Sequence, residues 1–164
     1  MESNAIGLSR LKVGAIINTS SGGCDLESAQ EMLGILKRAG IVEPKTWCGA
    51  AGEMERSFAE AAEQKLEVLI VLGGDGTIRT AAEACAERGR FLVPLPGGTM
   101  NMLPRALYGD VSWEDALENT LTAPLAKVLS GGRIADKQFF IAAIVGAPCA
   151  LGGTPRIYTR RRYS

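Results

Sequence analysis

No histidine occurs anywhere in the 164 residues of this chain. The commonest general base and the usual nitrogen ligand of zinc are therefore missing, which excludes a Ser-His-Asp triad and leaves structural zinc little to form from. Cysteine does not fill the gap: Cys24, Cys48, Cys85 and Cys149 lie far apart, with no C-x-x-C pair among them. Net charge is absent too, because 18 Lys and Arg balance 18 Asp and Glu. No overall field gathers polyanions, so nucleic acid is not an expected partner. No window approaches the roughly 20 apolar residues of a membrane span, and the N-terminus lacks a basic stretch followed by an apolar run. A reduced, cytoplasmic setting is the expectation.

What is present is a 46% hydrophobic fraction, enough for the core of one domain, arranged in alternating units. "LKVGAIIN" (Leu11 to Asn18) reads as a buried strand followed by the loop "TSSGG". Asp25 is placed to cap a helix carrying Leu26, Ala29, Met32, Leu33 and Leu36 at helical spacing, with Gly40 as its stop. "IVEPKTW" predicts a short second strand ending near Thr46, and "EMERSFAEAAEQK" a second helix. "EVLIVL", apolar on both faces, reads as the central strand of a parallel sheet. A helix over "TIRTAAEACAERG", a fourth strand "FLVPL", and a helix begun by Ser112 and Asp115 complete the pattern. The expected fold is α/β, three layers in the order α/β/α around a mostly parallel sheet.

From Pro124 the texture changes. "PLAKVLSGGRIADKQFFIAAIVGA" has short β-rich runs with Gly-Gly and Asp-Lys turns, as antiparallel strands would. The expected division is an α/β domain over residues 1–123, the start of a β-rich second domain over 124–148, and a basic, mobile tail over 149–164.

In such a sheet ligands bind beyond the carboxyl ends of the strands, and the Gly-rich loops fall there. In "GGDGT" the glycines let backbone N–H groups approach an anion at the start of a helix. An aspartate among phosphates would repel them unless it meets Mg²⁺ or takes a proton from an attacking hydroxyl, so Asp75 points to phosphoryl transfer. A lone G-G-D-G is read equally well as a tight strand-to-helix turn with Asp75 as a helix cap.

Three motifs in order decide between these readings: "INTSSG", "GGDGT" and "PLPGGTMNMLPRAL". Together, over Leu11 to Gly109, they resemble the diacylglycerol kinase catalytic domain family, shared by bacterial lipid kinases and sphingosine kinases. The resemblance implies an ATP-dependent lipid kinase with a nucleotide-binding α/β domain. It implies that Asn18, Thr19, Ser20, Ser21 and Gly22 line the nucleotide site and that Thr46 contacts it from the second strand's end. Gly73, Gly74, Asp75, Gly76 and Thr77 would hold phosphates, with Gly98, Thr99 and Asn101 closing the pocket from the second loop. Asp75 would be the catalytic and metal-organising residue, ATP and Mg²⁺ the cofactors, and a lipid such as diacylglycerol the substrate. The chain departs from the family pattern at Thr19 (proline in the family), Thr80 (often glutamate) and Met102 (usually aspartate).

The family's second, β-rich domain supplies the lipid pocket, and the sequence here only begins such a domain. That keeps a second reading open, a nucleotide-binding module without catalysis. An unclosed β-rich start would leave Phe139, Phe140, Ile141 and Ile144 without a partner layer, so a homodimer or an aggregation-prone monomer is expected. Arg156, Arg160, Arg161 and Arg162 would meet anionic headgroups at roughly 1 kcal/mol each in a peripheral membrane contact. A solvated tail is the favoured alternative.

Overall fold

The two strands with the most continuous apolar sequence lie side by side at the centre of the sheet. The computed structural model describes residues 7–128, 131–134 and 137–139. In it β1 (Val13–Asn18) and β3 (Val68–Gly73) are buried at every position. They pair in parallel, with Val13 opposite Val68 and Ile17 opposite Leu72. β2 (Lys45–Gly49) flanks β1 and β4 (Phe91–Pro96) flanks β3, giving a four-stranded parallel sheet in the order β2-β1-β3-β4.

Because side chains alternate across a strand, the sheet divides its residues between two cores. Val13, Ala15 and Ile17 of β1, with Val68, Ile70 and Leu72 of β3, face one core. That core is closed by α1 (Leu26–Arg38) and α5 (Trp113–Thr122), which contribute Met32, Leu36, Trp113 and Leu117. Ile16, Leu69 and Val71 face the other, closed by α2 (Met54–Glu63), α3 (Asp75–Arg88) and the short α4 (Met102–Tyr108). The three-layer α/β/α arrangement expected from the sequence is therefore the observed one.

Local chemistry sets the ends of the helices. Asp25 and Ser28 form a reciprocal capping box at the start of α1, and the Ser28 N–H donates to Asp25 Oδ1 at 2.8 Å. The same bond holds the exposed Asp25 carboxyl below its usual range. Gly89, at φ +62°, ends α3 in the left-handed conformation. α2 ends at Glu63, earlier than its apolar pattern suggests, and Leu66 reaches the same core from beyond the helix. The Arg90 guanidinium caps that end by donating to the carbonyls of Ala61, Ala62 and Gln64.

Two boundaries differ from expectation. β2 begins at Lys45 instead of ending near Thr46, because Glu43 sits at φ 53° and Pro44 follows it, so the strand runs on through Trp47 and Cys48 to Gly49. α4 is absent from the sequence expectation, since Pro104 lies within it. Pro104 occupies the first turn, where a missing N–H removes no helical bond.

Within the segment expected to open a second module, β5 (Gly132–Ile134) and β6 (Lys137–Phe139) form a separate antiparallel pair. The apolar residues Phe140, Ile141 and Ile144 and the arginines of the tail lie outside the described residues, as do the side chain of Phe139 and the question of a dimer built on it.

Candidate nucleotide site

Chain order makes the crevice. From β1 the chain moves outward to β2, then crosses to β3 on the other side, so the connections after β1 and β3 leave toward opposite faces of the sheet. α1 covers one face and α3 the other, and the gap between them at the carboxyl edge is where such sheets bind ligands. Three segments meet there: residues 18–22 after β1, 73–77 from β3 into α3, and 97–101 after β4.

Asn18 ends β1 with its side chain buried, and both ends of its amide are used. Its Nδ2 donates to Thr77 Oγ1 at 2.9 Å, and its Oδ1 accepts from the Ser20 N–H at 3.0 Å. Ser21 Oγ accepts from the Gly74 N–H at 3.0 Å, tying residues 18–22 to the start of α3. Ser20 Oγ accepts from the Ala51 N–H at 3.0 Å, and the Thr19 N–H donates to Gly49 O at 2.9 Å. The end of β2 is therefore joined to the site through Gly49 and Ala51. Thr46 lies near the start of that strand, where its hydroxyl faces Pro44 O at 3.4 Å, and it is not brought together with the other predicted residues.

α3 opens the crevice to anions. Its N-cap is Gly74, which offers no side-chain cap, and the first backbone bond of the helix runs from the Ile78 N–H to Gly74 O. The N–H groups of Asp75, Gly76 and Thr77 belong to the first turn and have no partner within the helix. Behind them stands the dipole of a 14-residue helix. Gly22 and Gly76 face open space. No Lys or Arg occurs in 18–22, 73–77 or 97–101, so backbone N–H groups and the hydroxyls of Ser20, Thr77 and the exposed Thr99 supply the donors. That donor set fits a nucleotide's phosphates.

Gly97 is a member of the site that sequence reasoning passed over. Its N–H donates to Gly73 O at 3.0 Å, and its carbonyl accepts from the Gly23 N–H at 3.1 Å, so it ties its own loop to the end of β3 and to the residue just past the first segment. A Cβ there would lie 2.8 Å from the Gly73 nitrogen and 2.4 Å from Cys24 Sγ. The doubled glycine of "PGGT" was the available signal. Burial pushes the neighbouring Cys24 thiol up to about 11, with Asp25 and Cys48 adding to the shift, so it is not a reactive thiolate.

Both oxygens of the Asp75 carboxylate are engaged by backbone. Its Oδ2 accepts from the Asn101 N–H at 3.0 Å and its Oδ1 from the Met102 N–H at 2.7 Å. Among the described residues no group of three or more His, Cys, Asp or Glu is placed to hold a metal ion. Asp75 is the only carboxylate in the three segments, so they supply at most one protein ligand to a magnesium ion carried by substrate phosphates.

The sequence profile of the diacylglycerol kinase catalytic domain matches residues 12–131. The chain belongs to the diacylglycerol kinase catalytic domain family. A solved diacylglycerol kinase structure from Bacillus anthracis str. Sterne superposes with a TM-score of 0.65 at 24% identity, over 78% of this chain and 47% of that one. Two further structures from the same strain give 0.65 and 0.62 at 24% and 25% identity, again over 78% of this chain, and over 45% and 47% of theirs. This diacylglycerol kinase-family chain thus spans less than half the length of those proteins, and at such identity the likeness concerns the fold. No curated protein matches it. Among its described residues no helix is long and apolar enough to cross a membrane. A cavity of about 580 Å³ opens along the outer edge of β4 between α3, α4 and α5, away from the glycine loops.

Proposed function

We propose that the crevice binds ATP and that the chain carries the nucleotide-binding part of a lipid kinase, which transfers the γ-phosphate to the hydroxyl of a lipid such as diacylglycerol. The observation that carries this reading is the uncapped first turn of α3, set at the point where the strand order reverses and flanked by two further glycine loops. Family membership supplies the reaction class. In that reaction the lipid oxygen bonds to the γ-phosphorus as the bridging P–O bond to the β-phosphate breaks. ADP leaves with the electron pair, and the proton of the hydroxyl passes to water. The N–H groups of the first turn meet charge on the transferring phosphoryl oxygens. Work at a lipid substrate accords with a cytoplasmic protein in peripheral contact with the membrane surface.

A second reading, a nucleotide-binding module without transfer, is favoured by the engagement of Asp75. Both of its oxygens already accept backbone N–H groups, and no other carboxylate, Lys or His lies among the predicted site residues. Both readings require nucleotide binding, and only the first requires labelled phosphate to appear on lipid.

Calorimetric titration with ATP tests the shared step, with Gly74→Val as the control. A Cβ at Gly74 stands 3.7 Å from Ser21 Oγ and 3.8 Å from Gly98 Cα, ordinary contact distances, so the fold is expected to survive. The branched side chain would cover the first-turn N–H groups, and affinity is expected to fall by tenfold or more, on the order of 1.4 kcal/mol. Undiminished affinity in the folded variant would end the phosphate-cradle assignment. Transfer of radiolabel from ATP to diacylglycerol in mixed micelles then separates the kinase from the module.

A further inference from the structure

We infer that Asp75 is a positioning residue, a latch that fastens the second glycine loop and the start of α4 to the first turn of α3. The inference rests on the nucleotide reading of the crevice only for its functional consequence, since the latch itself is a matter of geometry.

The two bonds that Asp75 accepts come from Asn101 and Met102, the N-cap and first residue of α4. These N–H groups have no partner inside their own helix. Asn101 cannot cap them, because its side chain is turned the other way: Oδ1 accepts from the Gly98 N–H at 2.7 Å, and Nδ2 donates to Gly98 O at 2.7 Å. Asn101 is itself held in the left-handed region at φ 50°. A carboxylate reaching across from α3, 26 residues away in sequence, completes what the loop leaves undone. Charge on the acceptor makes both bonds stronger than neutral ones.

The latch acts where the loops already touch. A Cβ on Gly98 would lie 2.7 Å from Gly74 Cα, so the second loop rests on the backbone of the first. Fixing Asn101 and Met102 therefore fixes Gly98 and Thr99 over the phosphate-binding turn. A magnesium ligand would have to present an oxygen in strict octahedral geometry. Each oxygen of Asp75 holds one of the two N–H groups, so any rotation of its carboxylate would strand them and release α4 from α3.

Two readouts decide the matter. Amide hydrogen exchange is measured by NMR on the unmodified protein, Asp75→Asn and Asp75→Ala, and each is titrated with ATP in Mg²⁺ and again in EDTA. In the alanine variant, exchange at Asn101 and Met102 is expected to quicken by about tenfold, with β1 and β3 unchanged. The asparagine variant, which keeps one acceptor, is expected to fall between. ATP affinity should drop by the same factor with and without the metal. Unchanged exchange at both amides would overturn the latch, as would an affinity loss confined to the Mg²⁺ titration, which is the mark of a metal ligand. If the unmodified protein binds no ATP, the nucleotide reading fails and exchange alone judges the latch. If the alanine variant does not fold, the asparagine variant carries the same test.

Discussion

Gly76 and Gly97 both belong to the crevice, and a methyl group would mean opposite things at the two. Gly97 is wedged between Cys24 and the Gly73 backbone, where a Cβ has no room. Gly76 is exposed in the first turn of α3, where an added methyl would meet nothing within 4 Å, and it lies at negative φ. Packing alone gives no reason for glycine there. Alanine would restrict the unfolded chain and suit the helix, so Gly76→Ala is expected to raise stability by about 0.5 kcal/mol in urea denaturation. If phosphate occupies the first turn, the same methyl stands in its path and ATP affinity falls. Stability and binding moving in opposite directions would identify Gly76 as a residue kept for its ligand. Stability rising with affinity unchanged would place the ligand elsewhere.

At the scale of elements, α4 is the least autonomous part of the fold. It has seven residues, its N-cap side chain is committed to Gly98, and its first N–H groups depend on Asp75. Asn101 is the joint. Asn101→Gly loses two side-chain bonds but keeps the left-handed backbone easily, whereas Asn101→Ala loses the bonds and also strains it. Alanine is therefore expected to cost about 1 kcal/mol more than glycine, read from urea midpoints; equal costs would show that φ at this position carries no strain. This dependence also explains which elements can be read from sequence. β1 and β3 declare themselves through unbroken apolar runs, and α1 through its cap and spacing, because those signals are local. α4 hides behind Pro104 and a glycine pair, and Thr46 falls away from the site because Glu43 and Pro44 set the start of β2. Asp75 reads from sequence both as a metal ligand and as a helix cap. The helix its carboxylate caps is α4 instead of its own, a tertiary fact that no spacing within "GGDGT" could carry.

Across the whole molecule the sheet separates two cores, and each has a thiol set into it. Cys85 is buried in the core under α2 and α3, while Cys24 packs against the core under α1 and α5. Burial pushes both thiols from 9.0 up to about 11, the Arg90 charge opposing the shift at Cys85. A thiol whose folded pKa exceeds its unfolded one holds its proton more tightly in the folded protein. The stability it contributes is whole below pH 9 and is lost as pH rises through about 11, because the unfolded chain ionises first. Tyr108, raised above 10.0 by burial, adds a loss of the same sign at the upper end. Under reducing conditions the thermal midpoint is therefore expected to decline steadily between pH 9 and 11, loosening both faces of the sheet together. A Cys24→Ala, Cys85→Ala variant separates this from packing: lost contacts lower its midpoint by a constant amount at every pH, while lost titration flattens its alkaline slope. A slope identical to that of the unmodified protein would mean that neither thiol is held neutral by burial, and that the two cores are more open to water than their packing describes.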